Sequence, residues 1–508
     1  MNRTNLSLAA FICLIILFAS AQAAEHPNVL ILYADDLGYG DLSIQNADSK
    51  IPTPNLDRLA REGMRFTDGH SSSGICTPSR YALLTGRHHC RDFHGIVNAM
   101  GASVFEPERL TLPEMLQERG YKTACIGKWH LGWDWTAIRK EGAKPIGGGR
   151  RRAFGPDAYD WSKPIPDGPL AHGFDHYFGD TVINFPPYCW IEDDKVTASP
   201  DAMMDSSKWK KIKEGNWECR PGPMITGWDP YQVLPTLAEK GVQYILDQKE
   251  AEEPFFLFFS FPCPHAPIIP NDEFDGKSKA GPYGDFVFQT DYVCGQLLNA
   301  LELAGKEGDT IVIFTADNGP EKYAYARDEK FQHWSAKPFR GLKRDIYEGG
   351  HHVPFLVKWP GVTKPGSVND ALVSQIDIMA TLAAHLNFDL PDDAAEDSHN
   401  VLPLLTGEAK SVRETHIHNT RADHYAIRHG DWLLIDGKDG YLSGRNATWE
   451  KKRGYPADDQ QPVELYNLKD DIGQKQNVAA KRGDVVAELQ ALLKKIREQG
   501  HSAPRLAR

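Results

Sequence analysis

Three short stretches of this chain are apolar at nearly every position, with no alternation: Val29 to Ala34, Phe255 to Phe261 and Thr310 to Ala316. That pattern belongs to strands buried on both faces, as in a parallel sheet covered by helices. Segments with helical spacing separate them, including Pro54 to Gly63 and Leu112 to Gly120. The order of elements therefore predicts an α/β fold with a large mixed, mostly parallel sheet sandwiched by helices. Each apolar run also ends in a polar group: Asp35-Asp36, then Pro262-Cys263-Pro264-His265, then Asp317-Asn318-Gly319. Ligands in open α/β sheets gather beyond the carboxyl ends of the strands, so these clusters are expected to converge on one site.

The pattern changes toward the C-terminus. Strand-like runs lapse around Thr406 to Arg413, and Tyr425 to Arg428, Trp432 to Ile435 and Glu464 to Leu468 then read as short antiparallel strands with Gly and Asp turns. An amphipathic helix from Val485 to Gln499 closes the chain. We expect a larger domain over residues 24–408 and a small α+β domain over 409–508. At the other end, Arg3, the apolar run Leu6 to Phe18 and the small residues of Ala21-Gln22-Ala23 have the order of a signal peptide, residues 1–23, so that the mature chain begins at Ala24. The run is short for a membrane span. An exported protein, periplasmic or secreted and without stable membrane insertion, is expected.

Charge narrows the partners. With a formal net charge of −12 over 508 residues, nucleic acid held by bulk electrostatics is excluded, and selectivity for an anion must come from a local pocket. Seven cysteines follow Ala24, an odd number, and export would permit disulfides; Cys189 and Cys219, flanking a loop-rich segment, are the favoured pair. The segment from Trp133 to Pro169, with its Gly-rich and Arg-rich centre, reads as a mobile loop.

Asp35, Asp36, Asp317 and Asn318 are all hard oxygen donors. Three converging carboxylates repel one another unless a cation is present, and oxygen-only ligation favours Ca2+, with Mg2+ as the alternative. Taken singly, Asp-Asp and Asp-Asn-Gly are also ordinary turn residues after strands. Upstream, Cys76-Thr77-Pro78-Ser79-Arg80 followed by Ala82-Leu83-Leu84 places a thiol at the mouth of a helix with Pro78 at its first position. Unpaired N–H groups, the helix dipole and Arg80 would lower the thiol pKa and attract an anion. A structural cysteine is the alternative use of such a position.

The stretch Cys76 to Arg87 resembles the first signature of the type I sulfatases, with Cys, Pro, Ser, Arg and a following Thr-Gly at every fixed position. Gly120 to Gly132, containing Lys128 and His130, resembles the second, and Gly341 to Gly350 resembles the family's lysine and Tyr-Glu-Gly-Gly turn. The resemblance spans nearly all of the mature chain. It implies an alkaline phosphatase-like fold and hydrolysis of a sulfate monoester, with aryl sulfates as surrogate substrates and a sulfated saccharide as the natural one. It implies that Cys76 is oxidised by a formylglycine-generating maturation enzyme, and that Asp35, Asp36, Asp317, Asn318 and the modified Cys76 hold the metal. Arg80 would orient the nucleophile, Lys128 bind sulfate, His130 deprotonate the hydrate, and His265 and Lys343 assist the leaving oxygen. Composition alone leaves Arg340 and Arg344 as rivals of Lys343. His88, His89, His351 and His352 are expected at the pocket rim or surface. Trp133, Trp135, Trp190, Trp217 and Trp228 are available to stack on sugar rings. Two other functions use the same residues: a phosphodiesterase or phosphonate monoester hydrolase of the same superfamily, and a sulfated-glycan binder in which Cys76 stays a thiol.

Overall fold

Successive residues of the Asn28–Asp35 strand enter two different cores: Leu30, Leu32 and Ala34 pack into one cluster, Val29, Ile31 and Tyr33 into the other. This division is why the strand has no polar face. The computed structural model describes residues 24–148, 152–456 and 461–504. Residues 1–23, expected to be a signal peptide, and Arg150 and Arg151 of the Gly-Arg stretch lie outside the described residues.

The main sheet has ten strands in the order Ser367–Asn369, Met64–Phe66, Phe355–Lys358, Thr310–Ala316, Asn28–Asp35, Phe255–Pro264, Lys122–Gly127, His176–Gly179, Ile191–Glu192, Lys195–Val196. Its five central strands, from Thr310–Ala316 to His176–Gly179, run parallel. Phe355–Lys358 runs antiparallel to both of its neighbours. Helices Pro54–Glu62, Val233–Asp247 and Gly281–Ala304 contribute to one core, and Cys76–Thr85, Leu112–Gln117 and Ile378–His385 to the other. The expected strands and helices are present with ends shifted by up to three residues. Among the described residues no helix is long and apolar enough to cross a membrane.

A second, four-stranded antiparallel sheet follows: Thr415–Arg421, His424–His429, Trp432–Asp436 and Glu464–Asn467. The first strand was not evident in the sequence, where His416, His418 and Asn419 interrupt the apolar pattern; all three are nevertheless buried. One face of the sheet takes Val485, Leu489, Leu493 and Ile496 from helix Gly483–Glu498. The other packs on Ile346 and Tyr347 of the larger unit. The small sheet thus grips the segment that begins with Lys343.

Two expectations about the middle of the chain are corrected. Trp133, Trp135, Ile138, Tyr159, Trp161 and Ile165 are buried, so the region from Trp133 to Pro169 is packed onto the domain rather than loose. Cys189 and Cys219 are free thiols, as are all seven described cysteines. Cys189 is fully buried and Cys219 packs against the larger core, so burial rather than cross-linking uses them.

Candidate active site

Asp35 and Asp36 are consecutive, and in an undistorted strand their side chains would point to opposite faces. Two local irregularities prevent this. The register with the Phe255–Pro264 strand shifts between Tyr33 and Asp35, and Asp36 adopts φ 63°, in the left-handed region that a short polar side chain tolerates. Both carboxylates consequently reach one site. Cys76, Asp35, Asp36 and His265 each offer a donor atom, and these atoms lie within 4.8 Å of one another. Asp317 joins through Oδ1, which accepts from the Asp36 N–H at 3.2 Å.

Cys76 is the first residue of helix Cys76–Thr85, two residues earlier than Pro78 suggested, and Pro78 sits where its missing N–H costs nothing. Its Sγ lies 3.7 Å from Asp35 Oδ1. The helix mouth does not produce the thiolate expected of it. Burial pushes the Cys76 thiol up to about 12, and the pull of Lys128 and Lys343 fails to offset that while Asp317 and Asp35 oppose it.

Each acid is matched by a buried cation. Lys128 Nζ is 2.6 Å from Asp35 Oδ2, Lys343 Nζ is 2.6 Å from Asp36 Oδ1, and Arg80 donates from Nε and Nη2 to Asp317 Oδ2 at 3.1 and 2.8 Å. Burial opposes the Asp35 carboxylate, but Lys128 and His265 outweigh it and hold its pKa at about 2. Burial and neighbouring Asp35 push Asp317 up against the pull of Arg80. Burial would likewise lower Lys343, yet Asp36 keeps it well above the ordinary lysine range. The three carboxylates are therefore neutralised by protein groups, and repulsion alone does not call for a metal. The donor set does. Asp36 Oδ2 and Asn318 Oδ1 are buried oxygens with no hydrogen-bond partner, and hard oxygens left bare beside Asp35 and Asp317 suit Ca2+ or Mg2+. A divalent ion would turn a neutral cluster positive, which matches an anionic substrate.

Lys128 and His130 lie beyond the end of the Lys122–Gly127 strand rather than on it, and His130 has φ 56°. Gly127, at φ 111°, lets the chain press against the next strand: a Cβ there would sit 1.9 Å from the Ser260 carbonyl oxygen, and the Lys128 N–H donates to that oxygen at 2.9 Å. The His130 ring places Nε2 3.0 Å from the Val97 carbonyl oxygen and leaves Nδ1 buried without a partner. Burial, reinforced by Lys128 and Arg80, keeps this imidazole neutral. His265 Nε2 lies 3.7 Å from Asp36 Oδ2, and its side chain is 13% exposed, so one edge faces the opening.

The rivalry among the basic residues after Phe339 is settled by their partners. Arg340 is committed to Glu450, to the hydroxyls of Tyr441 and Tyr466, and to the Tyr347 ring 4.1 Å away. Arg344 forms a fork with both oxygens of Glu321. Lys343 alone of the three pairs with Asp36. Gly319 permits this arrangement, because a Cβ there would lie 1.9 Å from the Gly349 carbonyl oxygen.

Two residues went unnoticed in the sequence. Ser260 Oγ accepts from Arg80 Nη1 at 2.5 Å and donates to the Lys128 carbonyl oxygen at 2.6 Å, tying two basic residues to the central sheet. Its signal was the single hydroxyl inside Phe255 to Phe261. Asp180, beyond the end of the His176–Gly179 strand, is buried with neither carboxylate oxygen hydrogen-bonded, and burial lifts it to about 7 although Lys128 pulls the other way. Nothing in the sequence marked it.

Other expectations fail. His88, His89, His351 and His352 are all at most 2% exposed, so they belong to the interior and not to a rim or surface. Of the five tryptophans, Trp133, Trp135 and Trp228 are buried, Trp190 packs on Phe178 and Trp228, and Trp217 on Trp209. Trp133 and Trp135 still line, with Arg139 and Tyr159, a cavity of about 150 Å³, and the same two rings border a smaller one beside His130.

Comparison with known proteins identifies the family. Residues 27–388 match the profile of the Sulfatase family, and residues 341–439 that of the N-sulphoglucosamine sulphohydrolase C-terminal region. An N-acetylgalactosamine-6-O-sulfatase of Bacteroides thetaiotaomicron is 33% identical over 500 residues, covering 94% of both chains. Human arylsulfatase A is 34% identical over 414 residues, covering 79% of this chain and 72% of its own. A solved Bacteroides thetaiotaomicron structure, described in terms of the metabolism of multiple glycosaminoglycans, superposes with a TM-score of 0.76 at 30% identity over 94% of this chain and all of the other.

Proposed function

This chain belongs to the sulfatase family of sulfuric ester hydrolases, and from that premise we propose that it removes a 6-O-sulfate from an N-acetylated hexosamine, with Cys76 as the precursor of a formylglycine and Ca2+ as its metal. The observation that carries the reading is Cys76 itself. It is buried among Asp35, Asp36 and His265, yet as a thiol it is held at about 12 and would be almost wholly protonated at neutral pH. A nucleophile so placed is useful only after chemical change.

A formylglycine at position 76 would supply, as its hydrate, a hydroxyl nucleophile with a second hydroxyl on the same carbon. Asp35, Asp36, Asp317 and Asn318 would hold the metal, which would supply Lewis acidity when bound. The remaining steps fall to side chains of this chain. Arg80, clamped by Asp317 and Ser260, presents a fixed charge beside position 76. Lys128 and Lys343 donate to sulfate oxygens where charge redistributes in the transition state. His265, open on one edge, protonates the departing sugar oxygen, and Lys343 assists it. His130, neutral and with Nδ1 bare, accepts the proton released when sulfate is expelled.

The substrate class rests on the named relatives and on the cavity that adjoins His130 through Trp133 and Trp135. The signal peptide, export to the periplasm or beyond, and dependence on a maturation enzyme belong to the same proposal. Two measurements test it. Peptide mass spectrometry of enzyme produced together with the maturation enzyme should show the Cys76 peptide about 18 Da below the unmodified mass, from replacing CH2SH by CHO. Turnover of 6-O-sulfated N-acetylgalactosamine should exceed that of its 4-O-sulfated isomer. Faster cleavage of a phosphate diester, or an unshifted peptide in active enzyme, would overturn the reading.

A further inference from the structure

Behind the Lys343 segment lies a cluster of imidazoles that the catalytic scheme does not use. His70, His351 and His416 are each at most 1% exposed, and one ring nitrogen from each lies within 4.8 Å of the others. They come from three places: the short strand Gly69–His70, the end of the turn Glu348–Gly350, and the first strand of the small sheet.

The polar accounting of this cluster does not close within the protein. His70 Nε2 is 2.7 Å from Asp68 Oδ1, which fixes its tautomer and leaves Nδ1 as a lone pair facing His351 Nδ1 at 3.0 Å. The outer nitrogen of His351, Nε2, has Glu348 Oε1 at 4.0 Å and no hydrogen bond. His416 is bare on both nitrogens. Its ring stands 5.0 Å from that of His70 and 6.1 Å from that of His351. His418 donates from Nε2 to the Ile346 carbonyl oxygen at 2.7 Å and lies against the His351 ring at 3.5 Å, limiting its rotation. Buried polar nitrogens without partners are uncommon and costly.

We propose that His70, His351 and His416 form a second metal site, distinct from the oxygen-lined catalytic centre, that takes Zn2+ and joins the small sheet to the segment bearing Lys343. The donor chemistry selects the ion. All three donors are imidazole nitrogens, which suit zinc and not the hard ions of the catalytic centre. One outer partner fits as well: Asp68, hydrogen-bonded to His70 Nε2, is a carboxylate in the position that orients a metal-bound histidine. Burial keeps His70, His351 and His416 below the usual histidine range, hence neutral, which is the ligating form. A zinc ion would satisfy the bare His416 nitrogen and hold residue 351, eight positions after Lys343, against residue 416.

The test uses full-length enzyme equilibrated with zinc chloride and passed over a desalting column. Elemental analysis should find about one zinc per chain, as three fixed imidazoles would retain it, with calcium measured separately. Replacement by Co2+ should give the visible absorption of a tetrahedral nitrogen site without thiolate charge transfer. His416→Ala should lose the zinc and the zinc-dependent rise in Tm, while Asp36→Asn keeps both. If His416→Ala does not fold, Asp68→Asn provides the second arm, with zinc affinity expected to fall about 10–100-fold. Wild-type enzyme that retains no zinc, or zinc retained equally by His416→Ala, would overturn the proposal, and neither result bears on sulfate hydrolysis.

Discussion

Lys343 Nζ and Asn318 Nδ2 converge on the same oxygen of Asp36, at 2.6 and 2.7 Å, so the Lys343–Asp36 pair lies inside the oxygen cluster rather than beside it. Lys343→Ala should lower kcat/KM by at least about 100-fold, because a donor aimed at the leaving group disappears. In metal-free protein it should also destabilise the fold by about 3–5 kcal/mol, since Asp36 is left buried without a cation. Steady-state kinetics and urea denaturation check the two effects separately. Unchanged kcat/KM would remove Lys343 from the proposed chemistry.

Chelation should abolish turnover and lower Tm, because ligand binding to the folded state alone adds stability. Calcium should restore both more fully than magnesium, whose strict octahedral demand the side-chain oxygens of Asp35, Asp36, Asp317 and Asn318 are less suited to meet. Restoration of activity by zinc but not calcium would contradict the oxygen-donor reading.

Asp180 should give the stability curve a visible pH limb. Its pKa of about 7 in the fold lies above the ordinary aspartate value, because burial disfavours the charge. The favourable contribution is therefore complete below about pH 4 and is lost as pH rises through 7, when the native state must also give up its proton. Relative to wild type, Asp180→Asn should gain stability steadily from about pH 4 to 7 and then level off, with a ceiling of roughly 4 kcal/mol from about three pH units. Parallel curves for the two proteins would show that Asp180 is ionised in the fold.

Arg340 should prove structural despite standing three residues from Lys343. Its guanidinium is 5% exposed and pairs with Glu450, which is 1% exposed. Arg340→Ala should cost about 3–5 kcal/mol in denaturant unfolding. At a temperature where the variant remains folded, KM should change less than kcat, since Arg340 touches no substrate but braces the segment that positions Lys343. A loss confined to KM would instead make Arg340 a binding residue.

Much of this was legible in the chain, for identifiable reasons. A strand buried on both faces announces itself as an uninterrupted apolar run, which is how Asn28–Asp35, Phe255–Pro264 and Thr310–Ala316 were found, and the polar residues at their ends fell together as expected. What escaped detection depended on pairing across long separations. Whether a cation faces solvent, an acid or a ligand cannot be read from spacing, so Arg340, Lys343 and Arg344 looked alike until Glu450, Asp36 and Glu321 were seen beside them. The thiol of Cys76 was misjudged because helix-end electrostatics is a local property while desolvation is set by the whole fold. Histidines were misjudged for the opposite reason. They look like surface residues by type, yet His351 is interior because the small sheet covers it, and His352 because Tyr39 and Phe339 pack on its ring.

Every residue of the helix Cys76–Thr85 is buried, with no side of it left for solvent. A catalyst that must grasp this segment in order to oxidise its first residue could do so only before the helix has docked. Commitment to an active enzyme would then be decided during synthesis or translocation, in competition with folding. A molecule that folds first would be stable, correctly shaped and permanently inert.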